Sequence, residues 1–151
     1  MQIKQLHTNL KLPTRGSLFA GGYDLYMPEV GMVNAGDSHV MVGLGFAAAV
    51  PVGFVALILP RSGAGAKRGV SLRNTCGVID ADYRGEWFVA VEQREGEELE
   101  WKAGDRLYQY ILVPTAMFDP ELVDELPSTD RGEGGFGSTG TGELTTVLTG
   151  A

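Results

Sequence analysis

The sequence has few of the residues that disulfides and zinc sites require, and its apolar residues do not form the long uninterrupted run that a membrane helix requires. It contains a single cysteine, Cys76, which excludes an internal disulfide and fits a reducing compartment. Two histidines beside one cysteine do not make up a zinc-ligand set. The longest apolar run, FAAAVPVGFVALILP, is interrupted by Pro51 and Gly53, so we do not expect it to span a membrane as a helix. These shortages predict a protein of the cytoplasm, or of the host-cell interior if its source is viral, without a membrane partner.

Positive charge is scarce overall but concentrated in one segment. The 151 residues carry a formal net charge of −7 at pH 7, which argues against a general nucleic-acid surface. Between positions 60 and 79, however, there is no acid, and Arg61, Lys67, Arg68 and Arg73 follow one another. A local basic segment in an acidic protein suits a small anionic ligand better than a polyanion. A solvated basic loop would have the same composition.

Glycine and proline interrupt the chain throughout, and helical periodicity is nearly absent. Short runs rich in Val, Ile, Phe and Tyr lie between turn signals, which is the pattern of β-strands. The predicted strands cover 23–27, 39–48, 53–59, 70–73, 77–80, 86–92 and 106–113, and 120–126 could hold one turn of helix. Many short strands in a chain of this length predict an all-β fold of the sandwich, jelly-roll or barrel type.

The last predicted strand carries a polar residue on an apolar face. Alternation in DRLYQYILVP places Gln109 on the same face as Leu107, Ile111 and Val113. A buried glutamine must find hydrogen-bond partners. On this pattern alone, Gln109 is either a satisfied polar group of the core, which is the commoner case, or a residue that faces a ligand.

The segment NTCGVIDADYRGEW, at 74–87, holds the largest group of residues that could take part in catalysis or ligand binding. Asp80 ends a short apolar strand and ADYRG is typical of a turn into the next strand, so the segment predicts a hairpin. A carboxylate beside a rigid hairpin can act as a general base that accepts a proton from a positioned water. An aspartate that only shapes the turn, and a Tyr83 that only packs, fit the same pattern. The spacing of Asp80 and Asp82 also suggests a metal site, but two carboxylates without further ligands are weak evidence for one.

Two glycine-rich segments suggest phosphate binding. PRSGAGAKRG, at 60–69, follows an apolar strand, and its small residues leave backbone N–H groups free beside Arg61 and Ser62. It lacks the standard P-loop pattern, so an ordinary glycine loop is the alternative. RGEGGFGSTGTGE, at 131–143, contains G-x-G-x-x-G without a preceding strand, which argues against a dinucleotide site. Its composition predicts a disordered tail with one aromatic residue, Phe136.

Together and in this order, these segments resemble the trimeric deoxyuridine triphosphatase (dUTPase) family over nearly the whole chain. The five ordered motifs of that family have counterparts in GGYDLY (21–26), PRSGAGAKRG (60–69), NTCGVIDADYRGE (74–86), GDRLYQYILVP (104–114) and RGEGGFGSTG (131–140). The third and fifth motifs are the most specific. The departures are mild, and none falls on a position given a chemical role. They are Gly21, Gly65, Arg68 and Tyr108, which stand where alanine, a small apolar residue, histidine and a small residue are frequent.

The resemblance implies the architecture and the reaction. It implies a jelly-roll-like β core at 1–127, followed at 128–151 by a flexible C-terminal arm that closes over the site as a lid. It also implies a homotrimer with its sites at the subunit interfaces. The reaction would be hydrolysis of dUTP to dUMP and pyrophosphate by water attack at the α-phosphate. Mg²⁺ would be the cofactor, and the activity would limit uracil in DNA and supply dUMP for dTMP synthesis.

The resemblance also implies a role for individual residues. Asn74 and the backbone of Gly77, Val78 and Ile79 would hold uracil, and Tyr83 would pack on the deoxyribose and exclude a 2′-hydroxyl. Asp80 would contact the 3′-hydroxyl and orient or deprotonate the attacking water. Asp24 would reach Mg²⁺ through its water shell. Residues that would bind the phosphates or stack on uracil are Arg61, Ser62, Gly63, Gln109, Arg131, Phe136, Gly137, Ser138 and Thr139.

Three other functions remain open on the sequence. A dCTP deaminase of the same fold would need a catalytic glutamate and usually lacks the Asp-Tyr pair, so IDADYRG favours the dUTPase. A bifunctional deaminase–diphosphatase is disfavoured for the same reason. A non-catalytic regulatory binding protein is disfavoured by the presence of Asp80, Tyr83, Arg131 and Phe136.

Overall fold

The fold is built almost entirely from β-strands. The computed structural model describes residues 1–135. Its elements are β1 (Gln2–Gln5), β2 (Thr14–Arg15), β3 (Tyr23–Leu25), β4 (Gly31–Val33), β5 (Val40–Ala49), β6 (Phe54–Pro60), α1 (Ser62–Arg68), β7 (Val70–Leu72), β8 (Gly77–Ile79), β9 (Glu86–Gln93), β10 (Leu99–Trp101) and β11 (Tyr108–Pro114). The predicted all-β, jelly-roll-like class is confirmed. Among the described residues, no helix is long and apolar enough to cross a membrane.

The strands form three antiparallel sheets. The first has the order β1-β5-β9-β7, the second the order β2-β3-β11-β6-β8, and β10 pairs with β4 in a third. Each predicted strand has a counterpart. The strands β1, β2, β4 and β10 were not predicted, because each is only two to four residues long and too short for its alternation to stand out from the surrounding turns.

The core lies on one face of the long strands. Trp87, Val89 and Val91 alternate along β9 and are buried, as their spacing predicts. The Trp87 ring lies 5.1 Å from the ring of Phe46 and packs edge-on at 5.3 Å from the ring of Tyr110. These aromatic contacts fix the packing of β5, β9 and β11, which contribute several residues to the site described below.

The apolar face predicted for β11 is only partly buried: Leu107, just before the strand, is 1% exposed, but the residues of this face within the strand are half-buried. Tyr108 and Tyr110 are the fully buried residues of the strand, whereas Gln109, Ile111 and Val113 are half-buried on the other face. Both faces of this strand carry apolar side chains, since Ile111 and Val113 lie on one face and Tyr108, Tyr110 and Leu112 on the other. Period-2 alternation therefore could not decide which face is the core.

Two segments differ from the sequence prediction in secondary structure. The glycine-rich segment at 60–69 contains a helix, α1, and Gly69 ends it in a left-handed conformation with its N–H donating to the carbonyl of Ala64. The turn of helix allowed at 120–126 is absent, and this described segment forms neither helix nor strand. PELVDEL is too short and too exposed to stabilise a helix without a packing partner.

The chain divides into two compact units, Met1–Met117 and Phe118–Ala151. All the strands and the helix named above lie in the first unit. In the described part of the second unit, a turn forms where the N–H of Gly132 donates to the carbonyl of Thr129 at 3.0 Å. The proposed division of function into a core at 1–127 and an arm at 128–151 stays a prediction.

Candidate active site

The prediction of a β-hairpin at 74–87 was wrong in its strand pairing, because β8 lies at the edge of the second sheet whereas β9 belongs to the first, and the two strands do not pair with each other. The segment 74–85, called the hairpin below after its predicted form, is a strand and a turn that connect the two sheets. β8 pairs with β6, which places Gly77 opposite Ile58. A side chain at position 77 would crowd that partner, since a Cβ there would lie 3.1 Å from the Ile58 Cβ. Asp80 follows the strand and is exposed, and its carbonyl accepts the N–H of Tyr83 at 3.2 Å. The strand and turn therefore bring the two predicted sugar-binding residues to the same end of the hairpin.

A pocket of about 310 Å³ collects most of the residues predicted to hold the nucleoside. Its lining consists of Met41, Asn74, Gly77, Val78, Ile79, Asp80, Tyr83, Glu86 and Phe88. Met41, Glu86 and Phe88 were not predicted from the sequence. Glu86 lies within the third motif but was given no role, and Phe88 could have been placed outside the core because it alternates with buried Trp87. Met41 carried no such signal, since β5 brings it to the pocket from a distant part of the chain.

The entry to the hairpin is a tight turn around Asn74. The N–H of Thr75 donates to the carbonyl of Leu72 at 2.8 Å, and the N–H of Cys76 donates to the carbonyl of Asn74 at 2.6 Å. Thr75 has a φ of 66°, an uncommon conformation for a β-branched residue. The turn is therefore held by these hydrogen bonds against a local backbone cost, and it brings Asn74 into the lining of the pocket.

Tyr83 is held at its hydroxyl while part of its ring remains open to solvent. Its Oη donates to the carbonyl of Glu86 at 2.9 Å, and the ring crosses Gly85, where a side chain would collide with it. The residue remains 42% exposed. A ring fixed in this way can serve as a rigid wall for a ligand, because little rotamer freedom is left to lose on binding.

A second group of predicted residues surrounds the buried carboxylate of Asp24. Its Oδ1 lies 2.7 Å from Nε of Arg61, and its Oδ2 accepts a hydrogen bond from Nη1 of Arg106 at 2.9 Å. The main-chain N–H of Arg61 also donates to the carbonyl of Leu107 at 2.9 Å. Asp24 therefore fixes Arg61 at the start of α1. Arg106, in the fourth motif, was missed by the sequence analysis.

Gln109 belongs to the same sheet as Asp24. The two residues face each other in the β11–β3 register. The Gln109 side chain lies over Gly22, whose missing side chain makes room for it. Its Nε2 is 3.5 Å from the carbonyl of Pro60, a long contact that leaves the amide able to bind elsewhere.

The two groups do not form one pocket within the described part of the chain. The lining of the Asp80 pocket includes none of Arg61, Ser62, Gly63 or Gln109. Ser62 and Gly63 are exposed at the start of α1. Within residues 1–135, no cluster of three or more carboxylate, histidine or cysteine side chains could hold a metal ion.

Polar contacts anchor the strand that leads into the hairpin. Hydrogen bonds to Glu92 from Ser71 (2.8 Å) and from Arg73 (3.0 Å) hold the pKa of that carboxyl below its usual value. The Tyr108 hydroxyl donates to the carbonyl of Ser71 at 2.8 Å, and burial raises the pKa of this phenol. Burial likewise raises the pKa of Tyr110 to about 12. These tyrosines are therefore neutral structural groups at physiological pH.

The fifth motif is described only in part. Arg131 is exposed, and its Nε donates to the carbonyl of Gly134 at 2.9 Å. The other residues predicted in this motif, Phe136, Gly137, Ser138 and Thr139, lie outside the described residues.

Known proteins resemble this chain over most of its length. Residues 8–140 match the family model described as dUTPase. The deoxyuridine 5′-triphosphate nucleotidohydrolase of Syntrophotalea carbinolica is 41% identical over 141 residues, which cover 93% of this chain and 96% of the relative. The protein of the same name from Debaryomyces hansenii is 42% identical over 134 residues, which cover 87% and 82%.

A solved structure shows the same fold. The dUTPase of Staphylococcus bacteriophage 80alpha with dUPNHPP aligns with a TM-score of 0.83 and 25% identity, over 92% of this chain and 97% of the phage chain. The family model spans all five motifs, and the structure folds the third of them into a pocket beside Asp80. The chain therefore belongs to the dUTPase family and is a dUTP diphosphatase, an enzyme that hydrolyses dUTP.

Proposed function

We propose that the Asp80 pocket holds the deoxyuridine of dUTP and that Asp80 activates the attacking water. The observation that carries this proposal is the lining of one pocket by an exposed carboxylate, Asn74 and a fixed Tyr83. In the proposed step, the water oxygen forms a bond to the α-phosphorus and the bond from that phosphorus to the bridging oxygen breaks. Asp80 accepts the water proton, and dUMP and pyrophosphate are released.

Base recognition in this proposal relies on the main chain of the hairpin. Backbone N–H and C=O groups of Gly77, Val78 and Ile79 can pair with the edge of uracil, as a complementary base would. Asn74 adds an amide with both donors and an acceptor. The absence of a side chain at Gly77 lets this strand pack closely on Ile58, and we propose that the base is held against the same stretch of main chain. We infer that a thymine methyl would not fit there.

The phosphates are proposed to contact the second group of residues. Arg61, Ser62 and Gly63 lie at the start of α1, where a guanidinium, a hydroxyl and free N–H groups suit an anion. Gln109 adds an amide donor. From the fifth motif, we propose Arg131, Ser138, Thr139 and the main chain of Gly137 as phosphate contacts, and Phe136 as the ring that stacks on uracil.

Mg²⁺ fits this chain as an ion carried by the substrate. Both carboxylate oxygens of Asp24 already face guanidinium groups, yet each retains a lone pair that can accept a hydrogen bond from a metal-bound water. When bound, the ion would neutralise charge on the phosphates, and Asp24 would hold one of its waters. The lack of a carboxylate cage within residues 1–135 agrees with this arrangement.

The chain is proposed to act as a homotrimer with shared sites. Arg61 and Ser62 do not line the pocket that contains Asp80, although both groups are needed around one triphosphate. We therefore expect a trimer at micromolar protein concentration by analytical ultracentrifugation. Co-expressed Asp80→Asn and Ser62→Ala subunits should be more active than the average of the two homotrimers, because some interfaces of a mixed trimer combine an intact Asp80 with an intact Ser62. A monomer that hydrolyses dUTP would contradict the shared site.

Tyr83→Ala should weaken the discrimination between dUTP and UTP. The fixed ring is proposed to occupy the space that a 2′-hydroxyl would need, so its removal admits the ribose. We expect the ratio of kcat/KM for dUTP to that for UTP to fall by roughly 10-fold or more, the effect of losing about 1.4 kcal/mol of selectivity. Steady-state kinetics with both nucleotides measures the ratio. If it stays unchanged, the sugar is recognised elsewhere.

A further inference from the structure

We propose that Glu86 is a positioning residue that holds Tyr83 in place and thereby sets the preference of the enzyme for deoxyribose. The inference rests on the proposed function, in which Tyr83 packs against the sugar. Glu86 lines the Asp80 pocket and is half-buried at the start of β9, directly after the hairpin. Its carbonyl contacts the Tyr83 hydroxyl, and its side-chain carboxylate contacts the main chain of β5.

The main chain of Glu86 is the hydrogen-bond partner of Tyr83. The tyrosine Oη donates to the Glu86 carbonyl at 2.9 Å. The ring bends back across Gly85 to make this contact. A shift of residue 86 therefore moves or releases the far end of the ring, which is the part that defines the width of the sugar site.

The side chain of Glu86 is bound to an irregular part of β5. The register between β5 and β9 shifts between Gly43 and Ala47, and Gly45 has a φ of 77° within this bulge. The Glu86 Oε1 accepts the N–H of Gly45 at 2.9 Å. The carboxylate lies over Gly43, where any side chain would displace it.

The bulge is itself fixed, so it can serve as an anchor. The carbonyl of Gly45 accepts hydrogen bonds from the N–H groups of Leu6 at 2.8 Å and His7 at 3.0 Å. In a bulge, some backbone N–H and C=O groups lose their hydrogen-bond partners on the neighbouring strand. Here the Glu86 carboxylate accepts the N–H of Gly45 in place of a backbone group of β9. The chain of contacts runs from Gly45 through the Glu86 side chain and its main chain to the Tyr83 hydroxyl.

A role confined to stabilising the bulge would make Glu86 structural only. A structural role and a role in positioning Tyr83 predict different values of the specificity ratio, which is kcat/KM for dUTP divided by kcat/KM for UTP. A loss of stability alone lowers the active fraction and reduces both values equally. Displacement of Tyr83 admits the ribose and lowers the ratio. The ratio is therefore the decisive measurement.

The experiment compares purified full-length variants with Mg²⁺. Glu86→Ala should lower the ratio by up to roughly 10-fold, because an effect through Tyr83 cannot exceed that of removing the ring. Glu86→Gln should stay close to wild type, since its amide oxygen can still accept the Gly45 N–H. Gly43→Ala should lower the ratio as well, because it displaces the carboxylate without replacing it. Glu98→Ala, an exposed acid outside the pocket lining, is the control.

A double variant separates this inference from the proposed role of Tyr83. If Glu86 acts through Tyr83, the ratio for Tyr83→Ala combined with Glu86→Ala should equal that for Tyr83→Ala alone. If Tyr83→Ala leaves the ratio unchanged, the proposed role of the ring fails. If Tyr83→Ala lowers the ratio and both Glu86→Ala and Gly43→Ala leave it unchanged, the positioning role of Glu86 is overturned. Should Glu86→Ala fail to fold, Gly43→Ala decides the question.

Discussion

Asp80→Asn should reduce dUTP turnover by roughly 10²–10⁴-fold, the usual contribution of a general base. The amide is nearly isosteric with the carboxylate but cannot accept the proton of the attacking water. Asp80 is exposed and forms its backbone contact to Tyr83 through its carbonyl, so the substitution should leave the hairpin and the fold intact. Single-turnover assays should reveal the loss in the chemical step, and titration with a non-hydrolysable dUTP analogue should show retained binding.

Asp82→Asn is the matched control for this experiment. Asp82 lies in the same hairpin and is also exposed, but it does not line the pocket that contains Asn74, Asp80 and Tyr83. The two variants make the same chemical change two residues apart. Turnover should therefore fall only when residue 80 is replaced. Near-normal turnover in a folded Asp80→Asn protein would remove this carboxylate from the mechanism.

Deletion of residues 128–151 should abolish most dUTP turnover without unfolding the unit Met1–Met117. The strands, the helix and the hydrophobic core of the described chain lie within that unit, so its cooperative melting should persist close to that of the full-length protein. The deleted part carries Arg131 and Phe136, which we propose to bind phosphate and to stack on uracil. Loss of a stacking ring alone removes roughly 1–3 kcal/mol of binding.

Point substitutions narrow this test to one side chain. Phe136→Ala should lose much of the turnover, whereas Phe136→Trp should keep a good part of it, because the indole offers a comparable stacking face. Thermal melting without ligand monitors the fold, and steady-state assays monitor activity. If the truncated protein hydrolyses dUTP at the full rate, the fifth motif has no part in catalysis.

Features that are local in the sequence were predictable. The segment 74–86 forms its pocket wall from consecutive residues, so strand, turn and the positions of Asn74, Asp80 and Tyr83 could be inferred directly. Period-2 alternation likewise identified the buried face of β9. On β11 the same pattern did not identify the more deeply buried face, because both faces carry apolar side chains and the buried tyrosines lie on the face opposite Gln109.

The sequence by itself determined the class of fold, the family and the chemistry of the hairpin, because turn residues, alternation and motif order are properties of neighbouring positions. Only the tertiary structure decided which distant residues complete the site. Arg106 reaches Asp24 across 82 positions, and Glu86 reaches Gly45 across 41. These contacts depend on strand register, which a bulge in β5 shifts, and a slip of one residue turns every side chain of a strand to its other face.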